Sequence, residues 1–130
     1  KKNDVLVRNM RAAIDAGKTR YTAVAGTIEL RREIAKKFKK ENGLEYDPMG
    51  EIIVSSGAKP VIFTALYALV NPGDEVIIPT PCWVSYPEMV RLAGGVPVLV
   101  EGKRENNYVT EARDLAPYVT EKTKASGLLQ

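Results

Sequence analysis

The sequence contains no histidine among its 130 residues. This absence excludes Ser-His and Cys-His nucleophiles, an imidazole general base and the zinc sites that depend on histidine ligands. There is also a single cysteine, Cys82, so neither an internal disulfide nor a CxxC pair can form. One unpaired cysteine is compatible with a reducing compartment, and we expect a cytoplasmic location and no metal site.

Long apolar runs and a strong charge of one sign are missing as well. The longest apolar stretch, residues 60–70, is about half a membrane span and is interrupted by Thr64. The charged first residues lack the apolar core of a signal peptide. The net charge of +3 requires no polyanionic partner. We therefore expect a soluble protein that binds neither membrane nor nucleic acid.

One basic stretch, residues 31–40, leaves nucleic-acid binding open as an alternative. Glu33 lies within this stretch and Glu41 follows it, while Phe38 belongs to the apolar stripe of a predicted helix and not to its basic faces. Stacking aromatic residues interleaved with the basic ones, which single-stranded nucleic acids require, are absent. A solvated charged helix face is the favoured interpretation.

The remaining pattern alternates helices with short buried strands, which is typical of an α/β protein with a largely parallel sheet. Apolar spacing predicts helices over residues 7–17, 27–42, 61–70, 87–93 and 110–119, with Gly43 ending the second and Thr110 as N-cap of the last. Runs of β-branched residues predict strands at 52–54, 75–78 and 96–100. No repeat or linker divides the chain, so we expect one domain or one piece of a domain.

Two loops that follow predicted strands carry distinctive residues. Ligands of open parallel sheets bind beyond the carboxyl ends of the strands, which directs attention to residues 55–59 and 79–83. In the first loop, Ser55-Ser56-Gly57-Ala58 leads from a strand into a helix. The free N–H groups of the first turn, the helix dipole and the serine hydroxyls together predict a phosphate site. Because Gly57 lacks a Cβ, an anion can approach its backbone.

Two other interpretations of the first loop stay open at this point. It could be an ordinary turn with a serine cap. Ser56 and Lys59 also have the S-x-x-K spacing of serine acyl-transferases that resemble penicillin-binding proteins. The companion S-D-N and K-T-G motifs of those enzymes are absent, which argues against the second interpretation.

The second loop contains the only tryptophan, Trp83, preceded by two prolines, at a position where a flat ligand could lie against its face. A lone tryptophan is more often a packed core residue, so this residue by itself decides nothing. A phosphate site at one strand end and an aromatic plate at another together predict a planar phosphorylated cofactor.

Several segments, in one order along the chain, make the sequence recognisable: Lys18-Thr19-Arg20-Tyr21-Thr22 with Gly26, Glu29-Leu30-Arg31, Ser56-Gly57-Ala58-Lys59, Pro72-Gly73-Asp74-Glu75-Val76 and Trp83-Val84-Ser85-Tyr86-Pro87-Glu88. From about residue 8 to about residue 125 the sequence resembles the N-terminal part of the class I pyridoxal-phosphate aminotransferases, the aspartate aminotransferase family. Residues 126–130 depart from it. The resemblance implies a truncated part of the large domain of a fold-type I transferase, a three-layer αβα architecture with a mostly parallel sheet. Residues 1–130 would then form a single partial domain, an N-terminal segment plus the first half of the cofactor-binding large domain.

The resemblance also implies roles for individual residues. Residues 56–59, which are Ser56, Gly57, Ala58 and Lys59, match the site for the phosphate of pyridoxal 5′-phosphate, mainly through backbone N–H groups and one hydroxyl. Trp83 matches the aromatic residue that stacks on the cofactor ring beside the substrate. Tyr21 matches a tyrosine that reaches the neighbouring subunit's phosphate in a homodimer, and Gly26 a loop glycine near the substrate carboxylate. The implied substrates are an amino acid and a 2-oxo acid.

No residue of this chain matches the family's cofactor-linked lysine or the arginine that binds the substrate carboxylate, which lie further along the family's sequence. We therefore assign no catalytic residue and expect no transaminase activity from this chain alone. Strands that lie between 52–54 and the other two in the family's sheet are also missing, so the helix at 61–70 should be partly uncovered and self-association is expected. The alternative is a non-catalytic α/β module that binds phosphate or serves in assembly.

Overall fold

The structure is a computed structural model that describes residues 2–126, so the departing segment after Ser126 lies outside the described residues. Contacts divide the chain into two units, a first unit up to Ser55 and a second unit from Ser56 onward. The first contains two helices and the loops around them, and the second contains a parallel sheet with its helices. The predicted α/β class with a parallel sheet is confirmed.

The first unit has helices α1 (Lys2–Asp15) and α2 (Ile28–Asn42). Apolar spacing predicted both helices, but α1 begins five residues before the predicted range of 7–17 and ends at Asp15. Helix α2 begins after Thr27 and ends at Gly43, whose φ of 69° is left-handed. The Gly43 N–H donates to the Lys39 carbonyl, and the Leu44 N–H donates to the Phe38 carbonyl. Glycine adopts this conformation without the steric cost of a Cβ, which is why the helix stops there.

The basic face of α2 is paired with nearby carboxylates. Lys36 contacts Glu33 at 2.6 Å, Lys39 contacts Glu45 at 2.7 Å, and Lys37 pairs with Glu41. The hydrogen bond from Lys39 and its charge lower the pKa of the Glu45 carboxyl. These exposed pairs add little stability, but they reduce the positive potential that nucleic-acid binding would need.

The predicted strand at residues 52–54 is wrong in this structure, because these residues belong to no sheet. Ile52 is buried and Ile53 is exposed, as alternation predicts, and the N–H of Val54 donates to the carbonyl of Ala25 at 3.0 Å. An extended segment becomes a strand only when a neighbouring strand accepts and donates its backbone hydrogen bonds. The described part of the chain supplies no such neighbour here.

The second unit contains α3 (Ala58–Leu69), β1 (Glu75–Thr80), α4 (Ser85–Leu92), β2 (Val96–Glu101), α5 (Ala112–Leu115) and β3 (Thr123–Ser126). The sheet order is β2-β1-β3 with both pairs parallel, so β1 is central. Val76 and Ile78 of β1 pack with Val70 and Val90, and Ile77, which points to the opposite face, is also buried. The central strand is thus covered on both sides, as parallel sheets require.

The structure corrects several predicted boundaries in this unit. Helix α3 begins at Ala58, three residues before the predicted start at Val61. Helix α4 begins at Ser85, two residues before Pro87. The last predicted helix breaks into α5 and a 3₁₀ turn at Ala116–Tyr118, because Pro117 can donate no helical hydrogen bond. Its N-cap is Glu111, which forms a capping box with Asp114, and not Thr110.

Strand β3 was not predicted. It is short and mostly polar, with the sequence Thr123-Lys124-Ala125-Ser126, so no apolar run predicts a strand there. The strand is held by backbone pairing to β1, and the hydroxyl of Thr120 donates to the Glu75 carboxylate at 2.6 Å just before it. Tertiary pairing, and not local propensity, therefore determines this strand.

Helix α3 is the most apolar helix of the chain, yet none of its residues is buried. Leu66 packs against the cluster around Val90, whereas Val61, Tyr67 and Leu69 are exposed. The expectation of a partly uncovered apolar helix is confirmed. Within residues 2–126 no helix combines the length and hydropathy that crossing a bilayer requires.

We expect Val100→Ala to lower the free energy of unfolding by about 2 kcal/mol, since it removes two buried methyl groups and leaves a cavity. Val100 is 2% exposed, whereas Val96 on the same strand is 48% exposed. The matched variant Val96→Ala should cost less than about 1 kcal/mol. Urea unfolding followed by the fluorescence of Trp83, which lies in the same unit, measures both. Equal losses would show that β2 is not buried as described.

Candidate functional site

The N-terminal turn of α3 presents backbone donors without a side-chain cap. Gly57 is the N-cap residue with φ 99° and ψ 170°, and no side chain hydrogen bonds to the cap, so the interpretation as an ordinary serine-capped turn is wrong. The first N–H groups of a helix have no partner within it. Pro60, third in the helix, has no N–H to offer, which leaves Gly57, Ala58 and Lys59 as the donors of this turn.

Gly57 is required here for its backbone conformation. Its φ of 99° lies in the region that side chains rarely adopt, and among the described atoms a Cβ added there would have no neighbour within 4 Å. The space beside the Gly57 Cα is therefore open, so no neighbouring atom there hinders the approach of an anion to its backbone.

Trp83 lies in the short loop between β1 and α4, beyond the carboxyl end of the central strand. Its side chain is 59% exposed, so the alternative of a packed core indole is wrong. The Nζ atom of Lys59 lies 5.4 Å from the centroid of the Trp83 ring, which is within cation–π range. The structure therefore brings two of the sequence-predicted residues, from separate loops, to one place in the second unit.

The charges at this place are unbalanced. The N-terminus of α3 carries the positive end of the helix dipole, and the Lys59 ammonium group lies in its first turn. No ion pair joins Lys59 to a carboxylate within the described part of the chain. Two positive groups side by side, with open donors between them, form a site that attracts anions.

Ser56 is exposed and directly precedes Gly57, so its hydroxyl is accessible at the same turn. Sequence reasoning assigned Lys59 a role through its backbone. The contact between its ammonium group and the indole was missed, because residues 59 and 83 are brought together only by tertiary packing.

Tyr21 and Gly26 lie in the first unit, in the connection between α1 and α2. The Tyr21 side chain is fully exposed and no hydrogen bond of its hydroxyl is recorded among the described residues. Gly26 belongs to a loop, residues 23–27, that we call the Gly26 loop. Its N–H donates to the carbonyl of Ala23 at 2.9 Å and closes a tight turn.

The Val54 side chain packs directly against Gly26, a contact that was not predicted from the sequence. A Cβ on Gly26 would lie 2.9 Å from the Cβ of Val54, closer than real side chains approach, and φ at Gly26 is 91°. The Val54 N–H also holds the adjacent Ala25 carbonyl. No local sequence pattern predicts this contact, because Gly26 and Val54 are far apart in the sequence.

The family model for class I and II aminotransferases matches residues 2–129. An aspartate aminotransferase of Bacillus sp. strain YM-2 is 53% identical over 119 residues, which are 89% of this chain and 30% of that protein. An aspartate/prephenate aminotransferase of Cereibacter sphaeroides is 52% identical over 112 residues, which are 86% of this chain and 28% of that protein. The chain therefore spans less than a third of the length of these curated relatives.

A solved structure agrees with the fold. The aspartate aminotransferase of Rhizobium meliloti superposes with a TM-score of 0.88 and 41% identity, covering 95% of this chain and 30% of that one. The helices and strands described above thus correspond to those of a chain about three times as long.

We expect Gly26→Ala to destabilise the first unit more than Gly17→Ala does. Both glycines have positive φ, so both variants carry a backbone cost of about 1–2 kcal/mol. Only the Gly26 Cβ also meets Val54, which adds about 1–3 kcal/mol of overpacking. Chemical unfolding followed by helical circular dichroism measures the difference. Equal effects would contradict the close approach of Val54.

Proposed function

Because this chain belongs to the class I and II aminotransferase family, we propose that it supplies the phosphate-binding and ring-stacking part of a pyridoxal-phosphate-dependent aminotransferase site. The substrates would be an amino acid and a 2-oxo acid, between which the complete enzyme transfers an amino group. Pyridoxal 5′-phosphate, when bound, stabilises negative charge on the substrate carbon during this transfer. In this proposal the residues of this chain bind and orient the cofactor.

One observation carries the proposal, the 5.4 Å separation of the Lys59 Nζ from the Trp83 ring centroid. It means that a ligand with a flat ring and an anionic group can contact the indole and the ammonium group of Lys59, a residue of the first turn of α3, at once. A bare anion site would need no exposed indole, and a bare aromatic surface would need no open helix N-terminus.

The described residues fit the cofactor. The N–H groups of residues 57–59 and the Ser56 hydroxyl would bind the phosphate, and the helix dipole with the Lys59 ammonium would offset its charge. Trp83 would stack on the ring and fix its plane. The imbalance of positive charge at this turn is the feature that a phosphate relieves.

In this proposal Tyr21 acts at the dimer interface and Gly26 acts at the substrate. Tyr21 is fully exposed, and tyrosine is enriched among residues that become buried in protein interfaces. We infer that Tyr21 reaches the cofactor phosphate of a second copy in a homodimer. Gly26 would let the substrate carboxylate approach the backbone of its loop.

The uncovered apolar side of α3 supports association with further polypeptide, from a second copy or from sequence equivalent to the remainder of the relatives. A cytoplasmic location is part of the proposal, and the single free thiol of Cys82 is compatible with it. Within residues 2–126 no cluster of acidic or thiol groups is placed to hold a metal ion.

We expect pyridoxine 5′-phosphate to change the Trp83 fluorescence in a saturable way. This analogue has no aldehyde, so it cannot react with surface lysines, and Trp83 is the only tryptophan of the chain. Ser56→Ala should weaken binding about tenfold through loss of a charge-assisted hydrogen bond, whereas the neighbouring Ser55→Ala should not.

Unphosphorylated pyridoxine and inorganic phosphate serve as controls for this titration. If inorganic phosphate competes as strongly as the ring-bearing ligand, the chain is a phosphate-binding module and the cofactor assignment is wrong. If none of the three ligands changes the emission at millimolar concentration, the site itself is wrong.

We expect this chain to show no amino transfer alone and to gain it when combined with a complementary fragment. The fragment is the part of the Bacillus sp. YM-2 aspartate aminotransferase that lies outside its matched region. Turnover of aspartate with 2-oxoglutarate in the mixture, absent from each part alone, would support the proposal. Turnover by this chain alone would contradict it, and so would a mixture that associates, binds the cofactor and stays inactive.

A further inference from the structure

Arg31 of α2 is a buried cation with an unusual set of partners. It is 7% exposed, and its Nη1 donates to the carbonyl of Met49 at 3.1 Å. Its Nε is buried without a hydrogen-bond partner, and no ion pair to Arg31 occurs among the described residues. A buried guanidinium without a carboxylate adds little net stability, because desolvation offsets what the single bond contributes. What it does contribute is a defined geometry.

The acceptor of this bond lies on a braced turn. Both carboxylate oxygens of Asp47 accept backbone N–H groups, from Met49 at 2.9 Å and from Gly50 at 3.1 Å. The Asp47 N–H in turn donates to the Glu51 carboxylate at 2.7 Å. The Met49 carbonyl is therefore a fixed point to which the guanidinium attaches α2.

The same two segments meet again at the Gly26 loop. The Val54 N–H donates to the Ala25 carbonyl at 3.0 Å, and the Arg31 N–H donates to the Thr27 carbonyl at 3.1 Å. The contacts close a ring that runs from Ala25 through Thr27 and Arg31 to Met49, and back through Val54. The Gly26 loop is one side of that ring, and the bond from Arg31 to Met49 closes the opposite side.

We propose that Arg31 is a positioning residue that holds the Gly26 loop in place by tying α2 to the Met49 carbonyl. The inference rests on the proposed function, in which this loop meets the substrate carboxylate. Arg31 does not touch substrate in this account. It acts through the backbone, because a ring closed at two points leaves the loop between them little freedom.

Hydrogen exchange of the whole chain tests whether Arg31 holds the Gly26 loop, and it requires no enzymatic activity. In Arg31→Met we expect the amides of Val54 and Gly26 to exchange about tenfold faster, since one closure of the ring is lost. The Gly43 amide at the far end of α2 should be unchanged, which separates a local effect from general unfolding. Arg32→Met, at the exposed neighbouring position, is the matched control and should change none of the three amides.

Kinetics of the complemented enzyme tests the consequence. Arg31→Met should raise the KM for the amino acid about three- to tenfold with kcat changed less, because the loop binds substrate and takes no part in chemistry. Arg31→Lys, which restores one donor, should give an intermediate KM. A purely structural defect would instead lower the amount of active complex and leave its KM unchanged.

The outcomes are distinguishable. If the wild-type mixture associates, binds the cofactor and shows no turnover, the proposed function fails, and the exchange rates alone decide whether Arg31 holds the loop. If the wild type is active, an unchanged KM in Arg31→Met overturns the inference. Whether or not the wild type is active, the inference is overturned if the Val54 and Gly26 amides of Arg31→Met exchange at the wild-type rate. It is also overturned if the Gly43 amide exchanges faster, since that would indicate general unfolding.

Discussion

Burial of the central strand β1 is the constraint on which the candidate site depends. Its residues Val76, Ile77 and Ile78 are almost completely removed from water, and parallel hydrogen bonds hold the strand on both edges. The loop that carries Trp83 begins where this strand ends. Leu66 of α3 packs into the same cluster, so the apolar contacts that stabilise the unit also determine where the first turn of α3 and the indole lie.

The positive charges at the first turn of α3 lower its stability and favour the binding of an anion. A cation is favourable at the C-terminal end of a helix and unfavourable at the N-terminal end, yet Lys59 is in the first turn of α3. The contact with Trp83 offsets part of this cost, by about 0.5–1 kcal/mol for an exposed pair. In the proposed function, a bound phosphate would offset the rest of this cost.

The first unit uses buried polar contacts for a different purpose. Near the Gly26 loop, the Val54 amide holds the Ala25 carbonyl, and the Arg31 guanidinium holds the Met49 carbonyl. Such contacts orient a loop more than they stabilise it, because hydrogen bonds are directional and hydrophobic contacts are not. The cost of burying Arg31 is consistent with a site that needs a fixed backbone.

Local chemistry was sufficient to predict much of this protein. Apolar periodicity located α1, α2, β1 and β2, Gly43 ended a helix because it alone accepts the left-handed conformation there, and the motif order indicated the family. Residues 52–54 have the composition of a strand but no neighbouring strand to pair with. Strand β3 has a neighbouring strand but not the composition. Both predictions failed because a strand forms only where another strand pairs with its backbone.

The amino-acid sequence by itself thus determined the first four helices, the two apolar strands and the residue types of the candidate site, since these depend on side chains a few positions apart. Only the tertiary structure decided that Lys59 lies over Trp83, that Val54 closes against Gly26 and that Arg31 reaches Met49. Each of these contacts joins residues 18 or more positions apart, and such pairs meet only after the backbone between them has folded.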